Sequence, residues 1–263
     1  MEDRKDILYV FATICLFGIL GLYLALSQGD SVGGVINIPF RNVRVTTEPD
    51  VTASPTSIIG DTLVPAQSGD YYAIFKTNFG DIEIDLDEKN APNSVKSFIF
   101  LAESRYYDGT HFHRFIPGLF IQGGSRNTLN DDPSDDKYGN PGYVIDDEIN
   151  WDSLSLSEEK KQQLSNDGYS SKESIESIKM ESYVIAWANS SPNTNGSQFF
   201  ITFQNADSDR LSSLEGRHTV FGRVTSGQDV VNKISQINVN LENIDEPRPS
   251  ETVRILSISI ENR

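Results

Sequence analysis

Apolar and polar residues alternate along the second half of YYAIFKTNFGDIEIDL, where Ile82, Ile84 and Leu86 are separated by Glu83 and Asp85. A period of two predicts a strand with one buried face. Asn78-Phe79-Gly80 supplies a tight turn, so residues 71–86 read as a hairpin. The period then lengthens. In APNSVKSFIFLAES, Val95, Phe98, Ile99 and Ala102 recur at helical spacing, and Pro92 suits a first turn. Further apolar stretches read as strands: HFHRFI, LFIQGG, YVIAWAN, SQFFITF, TVFGRV and VRILSISI. Many short strands with few helices predict a mostly β domain, a closed antiparallel barrel.

A different pattern fills the N-terminus. Ile7–Leu26 is an uncharged run of 20 residues, long enough to cross a bilayer as a helix. Arg4 and Lys5 precede it and the next basic residue is Arg41. The positive-inside bias makes residues 1–6 a cytoplasmic tail and puts the rest outside. The competing reading is a signal peptide cleaved near Ala25-Leu26-Ser27, which yields a secreted protein; the length of the run favours an uncleaved single-pass anchor. Residues 27–70 are rich in Ser, Thr, Gly, Pro and Val and read as a linker to the domain at 71–263.

Charge narrows the partners. The formal net charge is −16, which argues against nucleic acid, whose backbone demands clustered Lys and Arg. Residues 131–181 hold 14 Asp or Glu against 5 Lys and read as a solvated surface. Ser155-x-x-Glu158 and Ser170-x-x-Glu173 have the capping-box spacing, so this segment predicts an acidic two-helix insertion at about 150–181. The single cysteine, Cys15, rules out an internal disulfide and a Cys-based metal site.

Three blocks carry a family likeness. YYDGTHFHRFIPGLFIQGG, AWANSSPNTNGSQFFIT and LEGRHTVFGRV resemble, in this order, the signature blocks of the cyclophilin family of peptidyl-prolyl isomerases, and the likeness covers about residues 71–263. It implies an eight-stranded antiparallel barrel capped by helices, with a substrate groove on its outside and the insertion beside that groove. Arg114 matches the family's catalytic arginine, and Gln122 the glutamine that steadies it and the substrate carbonyl. Phe120, Phe200, Leu214 and His218 match the walls of a proline pocket, and Leu119 stands where an aromatic pocket residue is common. Ala188 and Asn189 match the segment whose backbone pairs with the peptide, and Gln198 a further polar groove residue. Ser213 stands where many members carry Trp or another aromatic, which implies weaker binding of cyclosporin-type cyclic peptides.

The chemistry explains a cation inside an apolar run. A guanidinium has five donors and keeps its charge, so Arg114 is out of place in a core. Amide resonance opposes rotation of an Xaa-Pro bond with a barrier of about 18–20 kcal/mol. At the top of the barrier the prolyl nitrogen regains a lone pair, and a fixed cation binds that state better than the planar one. No nucleophile, metal or cofactor is needed. The expected function is isomerisation of proline-containing polypeptides during the folding of exported proteins. The alternatives are a catalytically weak proline-peptide-binding or chaperone module, and an anchored scaffold that uses its acidic insertion for contact. His111-x-His113 lacks a third metal ligand, and Asp131, Asp132, Asp135 and Asp136 lack the alternation of a calcium loop. His113 reads instead as a structural, hydrogen-bonded histidine. The sequons at Asn189 and Asn195 lie inside a signature block and need no glycan to explain them.

Overall fold

The computed structural model describes residues 70–130, 132–240 and 247–263. The candidate anchor at 7–26, Cys15, the linker apart from Asp70, and Asp131 lie outside the described residues. Among the described residues no helix is long and apolar enough to cross a membrane.

The alternating pattern forms the hairpin it predicts. β1 (Tyr71–Thr77) and β2 (Gly80–Leu86) pair antiparallel, with Thr77 opposite Gly80. Phe75, Ile82, Ile84 and Leu86 are buried, while Lys76, Asp81 and Asp85 face solvent. α1 (Pro92–Glu103) opens on its proline and buries Val95, Phe98, Leu101 and Ala102. There follow β3 (Arg114–Ile116), β4 (Phe120–Gly123), α2 (Glu158–Asn166), β5 (Val184–Trp187) and β6 (Phe199–Thr202). The chain continues through α3 (Ser208–Leu214), β7 (Val220–Ser226), α4 (Gln228–Ser235), β8 (Val239–Asn240), β9 (Arg248–Pro249) and β10 (Ile255–Asn262). Eight strands form one antiparallel sheet in the order β10-β1-β2-β7-β5-β6-β4-β3. β8 and β9, absent from the sequence-based expectation, pair as a separate ribbon.

The sheet curls without closing into the expected barrel. Its end strands, β3 and β10, do not pair as strands. They are joined by an isolated bridge between His111 and Arg254 and by single backbone bonds such as Phe112 N to Val253 O at 2.9 Å. The reason is local. β3 has only three residues, and the Phe115 amide on its outer edge donates to Pro247 O at 2.7 Å. The stretch entering β9 thus occupies the edge that closure requires.

Inside the curl, Phe98 from α1 packs among Tyr107, Phe199 and Phe221 at ring separations of 5.4–5.9 Å, and Trp187 stacks on Phe221 at 4.5 Å. Strands β4 to β7 bury their outer face as well. Ile121, Ile185, Phe199, Ile201 and Phe221 enter this core, whereas Phe120, Val184, Ala186, Phe200 and Val220 join a second apolar cluster. Burial of both faces is why these strands read as continuous apolar runs.

The insertion departs from its prediction. It holds one helix, α2, and the capping residue is Ser157, whose Oγ accepts from Lys160 N at 3.3 Å; Ser155 sits at φ 57°. The second capping box forms no helix. Residues 171–177 run beside 149–151 instead: Lys172 N donates to Ile149 O, Ser171 Oγ accepts from Trp151 N, and Ser177 Oγ accepts from Asn150 N. Those serines satisfy neighbouring backbone rather than a helix of their own.

Nor is the acidic run all solvated. Asp136, Asp147 and Glu148 are 2–5 % exposed. Glu148 supplies a cap that the Ala91 side chain cannot give to α1. Its carboxylate accepts from Asn93 N at 3.1 Å, Asn93 Nδ2 at 3.0 Å and Ser94 N at 2.8 Å. A buried anion on helix-terminal amides satisfies both charge and donors. Replacing Glu148 with Ala is expected to lower the unfolding free energy by about 2–3 kcal/mol. Urea denaturation checks this; a loss within experimental error would show that water caps α1 equally well.

Candidate active site

The pairing of β3 with β4 builds the site. Arg114 lies opposite Gln122, Gln122 opposite Phe200, Phe200 opposite Ala186, and Ala186 opposite Val220. With a side-chain period of two, this row shares the outer face of the curled sheet. Pro117 and Gly118 make the turn between the strands, Gly118 at φ 66°. Gly124 follows β4 with φ 86°, and a Cβ there would collide with Ser197 O. That glycine lets β4 lie against the chain entering β6.

Arg114 is half-buried and held from two sides. Its Nη1 donates to Gln122 Oε1 at 3.2 Å, and its guanidinium lies 5.7 Å from the centre of the Phe120 ring. A hydrogen-bonded chain continues outward. Gln122 Nε2 donates to Gln198 Oε1 at 3.0 Å, and Gln198 Nε2 donates to the carbonyls of Lys137 and Gly139 at 2.8 and 2.9 Å. Each amide is thereby fixed in orientation, and the cation with them.

Beside the cation lies the second apolar cluster. Phe120 and Phe200 pack at 4.7 Å, and His218 meets Phe200 edge-on at 5.4 Å. His218 Nδ1 lies 3.1 Å from Trp187 O. Leu119, Met180 and Leu211 complete the buried part, with Ala188 and Leu214 half-buried against it. The structure therefore brings together Arg114, Gln122, Gln198, Phe120, Phe200 and His218 by direct contact. Leu119 is 5 % exposed and packs within this cluster, as Phe120 and Phe200 do. Ser213 is exposed, its hydroxyl turned back to Arg210 O, and contributes no ring.

Ala188 N donates to Gln198 O, and Asn189 Nδ2 donates to Arg217 O and to Asp147 Oδ1. Asp147 is a residue that sequence reasoning missed. It also accepts from Asn195 Nδ2 at 2.7 Å and Asn193 N at 2.8 Å, so one buried carboxylate ties together the loop 189–195. Burial raises its pKa, and the three hydrogen bonds oppose that rise. Both sequon amides are engaged inside the fold. Asp147 lay hidden in an acidic run, so only its burial reveals it. Trp151 and Met180 were missed too; an indole in so polar a stretch was the available signal.

The aspartates weighed for calcium go separate ways. Asp132 accepts from Ser134, Asp135 from Asn130, and Asp136 pairs with Arg248. Among the described residues no group of three or more His, Cys, Asp or Glu is placed to hold a metal ion.

Comparison with known proteins agrees with this geometry. Residues 72–260 match the family model described as cyclophilin type peptidyl-prolyl cis-trans isomerase. Peptidyl-prolyl cis-trans isomerase B of Streptomyces anulatus is 35 % identical over 209 residues, covering 73 % of this chain and 97 % of that protein. Peptidyl-prolyl cis-trans isomerase 9 of Schizosaccharomyces pombe is 37 % identical over 188 residues, covering 72 % of this chain but 25 % of that longer protein. A Cryptosporidium parvum cyclophilin type isomerase, solved in the presence of the dipeptide Ala-Pro, superposes with a TM-score of 0.53 at 26 % identity, covering 73 % of this chain and 99 % of the other.

The two histidines near the groove are uncharged at neutral pH. Burial lowers His218 to about 4, and burial, with the charge of His111 second, lowers His113 to about 3. His113 is 2 % exposed, and its ring nitrogens make no hydrogen bond of normal geometry. His113 is thus a packed, neutral ring whose polar neighbour is Gln198. The unfolded chain takes up these protons below about pH 6.5, whereas the folded chain resists them. Stability is therefore complete above pH 6.5 and declines as the pH falls toward 4. The decline from pH 7 to pH 4 is expected to be smaller by roughly 3 kcal/mol in His113→Gln, measured by urea unfolding at each pH. Equal declines in the two proteins would refute the assignment.

Proposed function

The chain belongs to the cyclophilin-type peptidyl-prolyl cis-trans isomerase family, and on that premise we propose that Arg114 carries the catalysis. The observation behind this is the oriented guanidinium, held by Gln122 and the Phe120 ring beside a buried apolar cluster. A prolyl ring enters the hollow formed around Phe120, Phe200, Leu214 and His218, which desolvates it. The preceding carbonyl meets Gln122, whose Nε2 has two hydrogens, one of them given to Gln198. Arg114 then faces the prolyl nitrogen. As the amide twists, that nitrogen gains a lone pair and accepts from the guanidinium. The interaction exists only in the twisted state, so it lowers the barrier rather than tightening the ground state. Arg suits this task because its planar fork holds a direction and its charge is permanent. No proton moves, and neutral His218 acts as a wall.

Proline-containing polypeptides are the substrates on this reading. The dipeptide used with the Cryptosporidium parvum relative supports that class. The uncharged run 7–26, with its basic residues on one side, supports a single-pass anchor that holds the domain outside the cytoplasm, where it assists folding of exported proteins. The missing ring at Ser213 supports weak binding of cyclosporin-type cyclic peptides.

Replacing Arg114 with Ala in the full chain is expected to lower kcat/KM toward a proline-containing peptide by about 100- to 1000-fold, as loss of one transition-state donor does. Peptide affinity should stay within about 3-fold of the parent, because the hollow is intact. A protease-coupled or NMR exchange assay reads the rate and a peptide titration the affinity. A parent rate equal to the uncatalysed one would leave a binding module instead.

A further inference from the structure

The wall of the hollow is not self-supporting. Leu214 ends α3, and residues 215–219, His218 among them, lead on to β7. Besides the bond from Asn189 to Arg217 O and the packing of Leu214 on the second cluster, this segment is held by the insertion. Trp151 Nε1 donates to Gly216 O at 3.2 Å, and Met180 N donates to Glu215 Oε1 at 3.3 Å. Arg217 pairs with Asp167 at 2.5 Å and lies 5.3 Å from the Tyr169 ring, while Lys160 Nζ reaches Ser212 O at 3.4 Å.

The approach is close as well as polar. Gly216 adopts φ 84°, and a Cβ on it would lie 2.7 Å from Leu164 Cδ1 and 2.9 Å from Leu156 Cδ1. Trp151, Leu154 and Leu164 form their own buried cluster with Ile149 under this loop. Leu154, Ile178 and Met180 also lie around a crevice with His218 and Val220 that is too tight for a water molecule. The insertion therefore meets the loop with its apolar side, flanked by the contacts of Asp167 and Lys160.

Magnitudes separate these contacts. The Arg217–Asp167 pair has an aspartate side chain 43 % exposed, and exposed pairs contribute little. The Trp151 bond is buried at both ends, so losing its donor strands a buried carbonyl.

We infer that the acidic insertion is a built part of the proline-binding site, and that Trp151 is the positioning residue that fixes the wall formed by Leu214 and His218. This deepens the isomerase reading and rests on it for the identity of the hollow. Trp151 touches no substrate. It acts through Gly216 on the fit of the prolyl ring, which is bound alike in planar and twisted amides. Its loss therefore changes KM and not kcat, the opposite of Arg114.

The test compares Trp151→Phe, which keeps an aromatic ring but removes the N–H along with part of the indole's volume, with Asp167→Asn in the full chain. Trp151→Phe is expected to raise KM about 3- to 10-fold with kcat held, and to weaken binding of an Ala-Pro peptide equally. Asp167→Asn is expected to change either by less than about 2-fold. Thermal melting shows whether Trp151→Phe remains folded at the assay temperature. An unchanged KM and unchanged peptide affinity in folded Trp151→Phe would overturn the inference, as would a fall in kcat alone. If the parent chain shows no turnover, the Arg114 proposal fails, and the peptide titration still decides the role of Trp151.

Discussion

The pairing of Arg114 with Gln122 across β3 and β4 is the contact on which the outer face of the sheet depends. Strand geometry gives every neighbour of Arg114 the opposite fate. Phe115 is fully buried and packs on Phe203 at 5.1 Å, so the next residue along is committed to the core. A slip of one residue would drive a guanidinium inward and expose a phenyl ring. Burying an uncompensated charge costs several kcal/mol, so this register is strongly defended. The row Gln122, Phe200, Ala186 and Val220 inherits its position from that choice.

Much of this was legible from residue pattern. The hairpin at 71–86, α1 with its leading proline and the strands that bear the signature blocks appear where periodicity puts them. The candidate groove residues rest on family likeness, since strand alternation alone does not say which apolar residues face a core and which a substrate. Closure of the barrel was not legible. It turns on a three-residue strand whose free edge is taken by residue 247, a partner far away in sequence. The missed helices α3 and α4 are short, and the cap on α3 comes from Asp207 within a loop that gave little periodic signal.

The acidic segment misled for a physical reason. Composition averages over a run, whereas burial acts on single residues. Asp147 and Glu148 are consecutive, yet one gathers the loop 189–195 and the other caps α1. Both are buried anions made tolerable by donors from distant backbone and amide groups. Nothing in their spacing separates them from Asp132, which faces solvent. The same averaging hid the apolar underside of the insertion.

The hydrogen-bonding of β1 has a consequence for biosynthesis. Along one edge it pairs with β2, formed immediately after it, but along the other it pairs with β10, so that Tyr71 stands opposite Asn262. On the ribosome the first strand emerges with one ladder waiting for residues made long afterward. During that interval its open edge is a place where another nascent chain can add itself. Contacts so distant in sequence also slow the final assembly. A domain of an isomerase family thus has a slow, late-arriving step in its own assembly.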